Sequence, residues 1–359
     1  MASDADLLFL RAALALAERG RCIAPPNPSV GCLIVREGAI VGRGWTHRPG
    51  EGHAEVNALA DAGAAAGGAT AYVSLEPCAF HGRTPPCSQA LIDAGVARVV
   101  AAMTDPHPQV AGQGFADLRQ AGIIVDLIEL PEAAEAIAGF VSRIVRKHPF
   151  VRLKVAASVD GRTAMASGES KWVTGEAARK DVQAWRARSC AVVTGAETVL
   201  VDDPALTVRD DAFAHNGVIR QPLRVVLDSN LRVPASAGLF SQPGDTLVVH
   251  TTGEPANEAA EHLMLPAADG RVDLAPLLAQ LAERPCNEVL VEAGPTLIGA
   301  FLQAGLWDEL LLYVAPKLLG SEARPLAQLP FARMLEAIEA KIAHREAVGD
   351  DLRLRLVPA

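Results

Sequence analysis

Short apolar runs alternate with amphipathic segments along the chain, and this alternation predicts an α/β fold. Residues 4–19 carry apolar positions at helical spacing and predict an opening helix capped by Asp4. The residues expected on its apolar face are Leu7, Leu8, Leu14 and Ala15. Two runs, 30–35 and 40–44, flank a turn signal and predict a hairpin. Beyond them the pattern predicts strands at 69–75, 97–103 and 123–128 and helices at 53–66, 88–94 and 115–121. Such alternation is typical of a mostly parallel sheet covered on both faces.

A basic helix end followed by proline predicts a domain boundary. The predicted helix 131–147 ends on Arg143, Arg146 and Lys147, which suit a helix C-terminus, and His148-Pro149 stops it. We therefore predict two domains, residues 1–146 and 147–359. A second alternation predicts strands at 151–156, 191–194, 224–227, 246–249, 288–292 and 309–314, helices at 177–187 and 296–304, and loops at 213–222 and 236–245.

Composition favours a cytoplasmic enzyme of small molecules. The chain has 359 residues and is 50% hydrophobic, so it is longer than a domain with a single hydrophobic core usually is. A net charge of -9 without a Lys/Arg block argues against nucleic-acid binding. No apolar run is long enough to span a membrane, and the acidic first ten residues do not predict a secretory signal. Six cysteines are too sparse for a disulfide framework.

A histidine, a glutamate and two cysteines stand at spacings that indicate zinc chemistry. They are His53, Glu55, Cys78 (after Pro77) and Cys87. Zinc with three protein ligands keeps a fourth position for water and lowers the pKa of that water to about 7. A glutamate two residues beyond the ligand histidine can carry the water's proton to a leaving amine. The pattern predicts a hydrolytic deaminase with His53, Cys78 and Cys87 as metal ligands and Glu55 as the catalytic residue.

A structural zinc site and a disulfide are the alternatives for these residues. A closed structural site needs a fourth ligand, and none stands at finger-like spacing. A glutamate beside the histidine also has no purpose in such a site. The remaining cysteines are interpreted as small core residues: Cys22, Cys32, Cys190 and Cys286.

Four segments of the first half resemble the deaminase half of the bifunctional deaminase/reductase family of riboflavin biosynthesis. They are residues 26–31 (PNPSVG), 53–55 (HAE), 75–78 (LEPC) and 82–87 (GRTPPC). The eight residues between the cysteines exceed the two usual in nucleic-acid deaminases, and this long insert is itself a feature of the riboflavin family. The resemblance implies an N-terminal cytidine-deaminase-like α/β/α domain and a C-terminal dihydrofolate-reductase-like α/β domain.

Two positions near the zinc motif stay open. Asn27 stands between two prolines, and its amide could read a pyrimidine edge by donating and accepting hydrogen bonds. Asparagine and proline are equally ordinary turn residues. Many family members carry histidine two positions after the first cysteine, whereas this chain has Phe80 and then His81. A direct substrate role for His81 is therefore open.

The second half resembles the reductase half of the same family. The segments are 154–162 (KVAASVDGR), 168–174 (GESKWVT), 198–209 (TVLVDDPALTVR) and 289–297 (VLVEAGPTL). No G-x-G-x-x-G follows a strand, so a Rossmann fingerprint is absent. The last segment predicts a strand, a glycine turn and a helix start whose backbone N–H groups favour phosphate, although many such turns contain Gly-Pro.

The resemblance implies two sets of reductase contacts. The NADPH contacts are Ala156, Trp172, Thr198, Asp202, Ser229, Gly294, Pro295 and Thr296. The substrate contacts are Lys154, Ser170, Arg186, Leu206, Arg209 and Glu292. Arg186 and Arg209 offer planar forks suited to a ribose phosphate, yet an arginine taken without the surrounding motif is more often a solvated surface charge. Trp172 could equally be a core residue, and Asp202 could merely end a strand.

The sequence thus predicts a bifunctional riboflavin-biosynthesis enzyme that uses zinc and NADPH. It would deaminate a diaminopyrimidinone ribosylamine phosphate and then reduce the ribosyl group to ribityl, acting on pyrimidine nucleotides and not on nucleic acid or membranes. We also expect a homo-oligomer. The rival hypotheses are a nucleic-acid base deaminase with an appended domain, which needs a basic groove, and a zinc-stabilised binding protein, which would bind zinc without turnover.

Overall fold

The computed structural model describes residues 3–82, 84–255 and 257–359. Arg83 of the GRTPPC segment and Met1 lie outside these described residues. The chain divides into two compact units, the first ending at Lys147 and the second beginning at His148. Within the described ranges, no helix has both the length and the apolar character needed to cross a bilayer.

In its described residues, the first unit builds one five-stranded sheet and six α-helices. The strands are β1 (Gly31–Arg36), β2 (Ala39–Trp45), β3 (Thr70–Val73), β4 (Arg98–Ala101) and β5 (Ile124–Leu127). The helices are α1 (Asp4–Ala17), α2 (Ala54–Ala62), α3 (Cys87–Asp93), α4 (Gln113–Gln120), α5 (Pro131–Ala136) and α6 (Ala138–Arg146). The sheet order is β2-β1-β3-β4-β5. β1 pairs antiparallel with both β2 and β3, while β3, β4 and β5 run parallel. Only β1 runs opposite to the other four strands, so the sheet is mostly parallel, as predicted, and the hairpin supplies its antiparallel pair at the β2 edge.

Three details of the predicted helices were wrong. Ser3, and not Asp4, caps α1 by accepting a hydrogen bond from the backbone N–H of Asp6. Leu8 and Ala15 are exposed, and the buried residues of α1 are Asp6, Leu10, Ala13 and Ala17. Asp6 can be buried because Arg98 and the Tyr72 hydroxyl bind its carboxylate. The buried face of α1 therefore includes Asp6 and differs from the apolar face that was predicted. The predicted helix 131–147 is two helices, since Ile137 leaves the helical conformation and buries its side chain.

Helix α2 lies directly against β2, and this contact fixes the beginning of α2. A Cβ at Gly44 would fall 2.1 Å from the carbonyl oxygen of Ala54, the first residue of α2. Only glycine permits an approach this close. His53 is the N-cap residue of α2 and Glu55 lies in its first turn, so the packing of α2 on β2 positions both side chains.

The second unit builds a nine-stranded sheet. Its strands, with those of two short hairpins (β9–β10 and β14–β15) and of the distant pair β7–β18, are β6 (Phe150–Ser158), β7 (Arg162–Ala164), β8 (Ala191–Gly195), β9 (Ala214–His215), β10 (Val218–Ile219), β11 (Leu223–Leu227), β12 (Thr246–His250), β13 (Glu261–Met264), β14 (Ala267–Ala268), β15 (Arg271–Val272), β16 (Glu288–Glu292), β17 (Glu309–Ala315), β18 (Arg324–Pro325), β19 (Ala340–Val348) and β20 (Asp351–Pro358). The sheet order is β13-β12-β11-β8-β16-β6-β17-β20-β19. The seven strands from β13 to β17 in this order run parallel, and the β19–β20 hairpin is antiparallel. Six of the seven were predicted, and β13 was not.

Within the part of this unit that the structure describes, four α-helices accompany the sheet, and two of them, α8 and α9, were not predicted. They are α7 (Glu176–Arg188), α8 (Ala196–Asp202), α9 (Leu274–Glu283) and α10 (Pro295–Gln303). Leu274, Leu277, Leu278 and Leu281 are buried, at a spacing that would have identified α9. The predicted loop 213–222 contains the β9–β10 hairpin.

A buried ionic cluster lies within the second sheet. Arg152 is 2% exposed and pairs with Glu288 at 2.8 Å and Glu309 at 2.5 Å. Arg188 and Arg355 complete the cluster by binding Glu288 and Glu309, respectively. Each buried charge therefore has opposite charges beside it, as burial of ions requires.

Candidate active sites

The first unit brings three potential metal ligands together at the start of α2 and α3. The ligand atoms of His53, Cys78 and Cys87 all lie within 4.8 Å of one another. His53 Nδ1 is 3.3 Å from Cys87 Sγ and 3.7 Å from Cys78 Sγ. The backbone N–H of Cys87, the first residue of α3, donates to Cys78 Sγ over 3.3 Å. Its neighbour Ser88 donates its N–H to the Cys78 carbonyl, so the start of α3 fixes the Cys78 loop.

The donor set and its spacing fit tetrahedral zinc. Zn–S bonds of about 2.3 Å and Zn–N bonds of about 2.1 Å place neighbouring ligand atoms roughly 3.6 to 3.8 Å apart. The two measured sulfur–nitrogen distances lie at or slightly below this range. The thiol of Cys87 donates to Cys78, which lowers the pKa of Cys78 and raises that of Cys87, so Cys78 is the first of the two to form a metal-binding thiolate. Among the described residues, no fourth histidine, cysteine or carboxylate joins this group, as an open catalytic site requires.

Glu55 lies against the ligand group. Its side chain is 4% exposed, and its carboxyl contacts the Cys87 thiol. Burial, assisted by the charge of Cys78 and opposed by that of His53, raises the pKa of Glu55 to about 7. A carboxyl group at this position can accept a proton and return it.

Glu76 anchors the loop that carries Cys78, a role that the sequence did not suggest. It is 2% exposed, and its carboxylate accepts backbone N–H groups from Asp105 at 3.1 Å, Gly112 at 2.9 Å and Phe115 at 3.4 Å. A Cβ at Gly114 would fall 1.9 Å from the carbonyl oxygen of Pro77. The beginning of α4 is therefore fitted to the Pro77-Cys78 backbone. The LEPC segment contains Glu76, so the motif itself was the available signal.

The open positions near the zinc motif lie in turns. Asn27 is half-buried and donates its backbone N–H to the Ala24 carbonyl, as a turn residue does. His81 is exposed. The Phe80 ring stacks on His107, with centroids 6.1 Å apart, and this aromatic pair was not predicted.

The second unit contains a cavity of about 1380 Å³ that every predicted reductase residue lines. This volume exceeds the roughly 300–1,000 Å³ of a typical small-molecule site, so there is room for a dinucleotide and a second ligand. The lining includes Lys154, Ala156, Ser170, Trp172, Arg186, Thr198, Asp202, Leu206, Arg209, Ser229, Glu292, Gly294, Pro295 and Thr296. The structure thus brings together residues that are up to 142 positions apart in the sequence, from 154 to 296.

A charge cluster forms one end of this cavity. The sheet register places Glu292 of β16 beside Lys154 of β6, with 3.8 Å between carboxylate and ammonium. Arg186 of α7 binds Glu292 through two hydrogen bonds, of 2.6 and 3.0 Å, and donates to the Thr207 carbonyl. Burial lowers the pKa of Lys154, and Glu292 opposes that shift. The two hydrogen bonds to Glu292 occupy the guanidinium group of Arg186, which is therefore already paired within the protein.

The remaining predicted residues lie at the carboxyl ends of parallel strands or on the segments that follow them. Gly294 is the N-cap of α10 and Pro295 its first residue, directly after β16. Thr198 and Asp202 are on α8, after β8, and Asp202 accepts a 3.4 Å hydrogen bond from Ser170. Ligands of open α/β sheets bind at this edge. Trp172 is 62% exposed, and Arg179 lies 4.4 Å from its ring centroid, which excludes a core role for this tryptophan.

Comparison with known proteins gives a match to each unit and to the whole chain. Residues 3–103 match the model of the cytidine and deoxycytidylate deaminase zinc-binding region, and residues 149–354 match that of the RibD C-terminal domain. The chain is 50% identical over 365 residues to riboflavin biosynthesis protein RibD of Escherichia coli (strain K12), covering 99% of this chain and 100% of that protein. The RibD of Haemophilus influenzae is 46% identical over 370 residues, covering 99% and 98%.

Solved structures agree over the full length. Acinetobacter baumannii RibD, form 1, has a TM-score of 0.93 and 45% identity, with 99% of each chain covered. A diaminohydroxyphosphoribosylaminopyrimidine deaminase/5-amino-6-(5-phosphoribosylamino)uracil reductase of Thermotoga maritima has a TM-score of 0.88 and 30% identity, again with 99% of each chain covered.

Fold and sites together define a zinc-dependent deaminase joined to a reductase. The chain belongs to the riboflavin biosynthesis protein RibD family. It is an enzyme of riboflavin biosynthesis with deaminase and reductase activities, and its cofactors are zinc and NADPH. The predicted family and fold class are confirmed: a cytidine-deaminase-like domain precedes a domain with a dihydrofolate-reductase-like fold. The roles of individual residues stay predictions.

Proposed function

We propose that the chain catalyses both reactions for which the Thermotoga maritima relative is named. The first replaces the 2-amino group of 2,5-diamino-6-ribosylamino-4(3H)-pyrimidinone 5′-phosphate by oxygen. The second reduces the ribosyl group to give 5-amino-6-ribitylaminouracil 5′-phosphate. The observation that carries this proposal is the presence of a three-ligand metal group beside a buried glutamate in one unit and a large, charge-lined cavity in the other.

In the deaminase unit, His53, Cys78 and Cys87 would hold zinc. When bound, zinc acts as a Lewis acid that makes water a nucleophile near neutral pH. Glu55 takes a proton from the attacking water while the new C–O bond forms at C2. Glu55 then gives that proton to the amine, and the C–N bond breaks to release ammonia. We assign the amide of Asn27 to the pyrimidine edge.

In the reductase unit, bound NADPH would supply the hydride that reduces C1 of the opened ribosyl group, with the accompanying proton from water, and the residues of this chain would hold cofactor and substrate side by side. We assign the cofactor to Ala156, Trp172, Thr198, Asp202, Ser229 and the Gly294-Pro295-Thr296 turn, where the N-terminus of α10 suits phosphate. The substrate contacts are Lys154, Ser170, Arg186, Leu206, Arg209 and Glu292. Because Glu292 occupies the fork of Arg186, Lys154 and Arg209 are the cations assigned to the substrate's phosphate.

Domain limits and setting complete the proposal. We place the deaminase in residues 1–146 and the reductase in 147–359, near the division of the chain into two compact units. All six cysteines belong to the described residues and are free thiols, which supports a reducing cytoplasm. The acidic charge of -9 supports free nucleotides, and neither nucleic acid nor a membrane, as the partner.

We also propose that the chain is a homo-oligomer. The strand β19 ends the large sheet, and eight of its nine residues are exposed, which leaves an open edge for pairing. Apolar side chains accompany this edge: Ile342 is 58% exposed, and Met334 and Leu335 are 88% and 77% exposed. Light scattering of the purified protein tests this expectation, and a monomer at all concentrations would contradict it.

Incubation with the diaminopyrimidinone phosphate, followed by mass analysis, tests the proposed reactions. Without NADPH, the deaminated uracil and one equivalent of ammonia should appear. With NADPH, the ribityl product should appear in place of the deaminated uracil, with one NADPH oxidised per molecule of ribityl product. A gel-shift assay with RNA and single-stranded DNA should show no binding. Unchanged pyrimidine substrate, or turnover only on a nucleic-acid strand, would overturn the proposal.

A further inference from the structure

The reductase cavity has a second cationic end, distinct from the one formed by Lys154, Arg186 and Glu292. It lies at the end of β11, where a tight turn spans residues 228–233. Asp228 builds the turn: its carboxylate accepts the N–H of Val233 at 2.7 Å, and its carbonyl accepts the N–H of Leu231 at 3.1 Å. Ser229, Asn230 and Arg232 of this turn line the cavity.

A second segment reaches the same place. The backbone N–H of Val272 in β15 donates to Ser229 Oγ over 3.1 Å, so its neighbour Arg271 is brought beside the turn. Arg271 also lines the cavity. Because Ser229 Oγ accepts this bond, its own hydrogen stays available for donation to a ligand.

The strand order separates the two ends by a distance suited to a dinucleotide. Neighbouring strands lie about 4.8 Å apart, so β11 is roughly 10 Å from β16 and roughly 14 Å from β6, which carries Lys154. The phosphate-binding turn at Gly294 follows β16 and therefore lies between them. A cofactor whose nicotinamide is near Lys154 and whose diphosphate is near Gly294 would place its adenosine near Ser229.

Arg232 and Arg271, the arginines at this end, form only weak ion pairs or none within the described part of the chain. Arg232 approaches Glu197 at 3.4 Å, but both side chains are more than half exposed, so this pair contributes little. Within the described part of the chain, Arg271 makes no ion pair. Glu197, which pairs with Arg232, and Asp269, two residues before Arg271, are acidic residues of the cavity lining near these arginines.

We propose that Arg232 and Arg271, with the Ser229 hydroxyl, bind the 2′-phosphate of NADPH and select NADPH over NADH. This inference rests on the proposed reductase function. NADPH differs from NADH only by that phosphate, and guanidinium groups bind phosphate with paired hydrogen bonds. An arginine near the adenosine ribose is a common way to accommodate the 2′-phosphate in dinucleotide sites. Asp228 acts as a positioning residue, because it shapes the turn without facing the ligand.

Calorimetric titration of the full-length protein with two cofactor fragments tests this site without turnover. The probes are adenosine 2′,5′-bisphosphate and adenosine 5′-monophosphate. Wild type should prefer the bisphosphate. Arg232→Ala and Arg271→Ala should each weaken bisphosphate binding about tenfold, which corresponds to about 1.4 kcal/mol, and leave monophosphate binding unchanged. Lysine at either position should retain part of the preference. Arg333→Ala removes an exposed arginine elsewhere in the same unit and should change neither affinity.

Equal affinity of wild type for both fragments, or a double variant that keeps the wild-type ratio, would overturn the inference. Circular dichroism and the melting temperature verify folding, and the lysine variants replace any alanine variant that unfolds. Parallel turnover assays keep the two proposals apart. If wild type reduces the deaminated intermediate with NADPH while the variants keep their selectivity, this site is wrong and the reductase function stands. If wild type binds the bisphosphate selectively but reduces nothing, the site stands and the reductase function fails.

Discussion

Glu76 offers a test of how the fold holds the zinc-binding loop. Glu76→Ala would leave three backbone N–H groups, those of Asp105, Gly112 and Phe115, without their acceptor. A buried donor left unsatisfied costs about 1–3 kcal/mol. The two bonds of 3.1 and 2.9 Å carry most of the effect, and the third, at 3.4 Å, adds less. We therefore expect Glu76→Ala to destabilise the deaminase unit by roughly 3–6 kcal/mol.

Glu76→Gln is the informative companion to this variant. Its carboxamide oxygen can still accept from Asp105 and Gly112, which share one oxygen of Glu76, while its NH₂ group meets the Phe115 N–H. Only the longest bond is lost, and the others lose their charge, so the expected cost is about 1–2 kcal/mol.

The assay is a urea titration of the full-length protein that follows ammonia release and NADPH oxidation separately. With a slope of about 2 kcal/mol/M, Glu76→Ala should lower the midpoint of ammonia release by roughly 1.5–3 M and Glu76→Gln by roughly 0.5–1 M. The midpoint of NADPH oxidation should stay in place, and zinc content should fall with the first midpoint. Glu135→Ala, an exposed glutamate of α5, is the matched control and should leave both midpoints unchanged. The reasoning fails if Glu76→Ala behaves like this control, or if both activities move together.

The predictability of the two units differed for physical reasons. Six of the seven parallel strands of the second unit are largely buried apolar runs, so the hydrophobic pattern located them, whereas the edge strand β13 is partly exposed and was missed. The exposed edge strand β19 has no such run, and it was missed. The amphipathic pattern mispredicted the buried face of α1, because Asp6 is buried there. Its burial depends on Arg98 and Tyr72, partners distant in the sequence.

The sites show the same division between local and distant information. His53, Glu55, Cys78 and Cys87 were predicted from spacing, because the zinc chemistry constrains residue type and order. The anchoring of the loop by Glu76 depends on α4, which no local pattern connects to it. Likewise, the arginines beside Ser229 lie on two segments joined only through the sheet and one hydrogen bond.

Three further outcomes follow from the same geometry. Gly114→Ala places a Cβ 1.9 Å from the Pro77 carbonyl oxygen, so it should lower zinc content and ammonia release while NADPH oxidation persists; unchanged zinc by atomic absorption would contradict this. Arg98 and neighbouring hydrogen bonds hold the pKa of Asp6 well below its usual value of about 3.9, so this stabilisation is complete above about pH 4 and is lost as the pH falls further. Asp6→Asn should therefore melt below wild type at pH 7, with the difference narrowing toward pH 3; a constant difference would count against the ion pair. Arg152→Met removes the buried cation shared by Glu288 and Glu309 and leaves each carboxylate with one arginine, Arg188 or Arg355; it should destabilise the reductase unit by about 3–5 kcal/mol, measured as an earlier urea midpoint of NADPH oxidation with ammonia release unaffected; a stable variant would refute the cluster's role.

The central claim is that one chain holds two separate active sites, one for deamination and one for reduction. Glu55→Gln tests it most directly, because the change removes the proton-carrying carboxylate from the first site and leaves the reductase cavity untouched. Ammonia release from the diaminopyrimidinone phosphate is measured beside NADPH oxidation with the deaminated intermediate supplied. We predict that ammonia release is lost, with zinc retained, while reduction proceeds at the wild-type rate. Survival of ammonia release, or loss of both activities in a folded, zinc-loaded variant, would contradict the account.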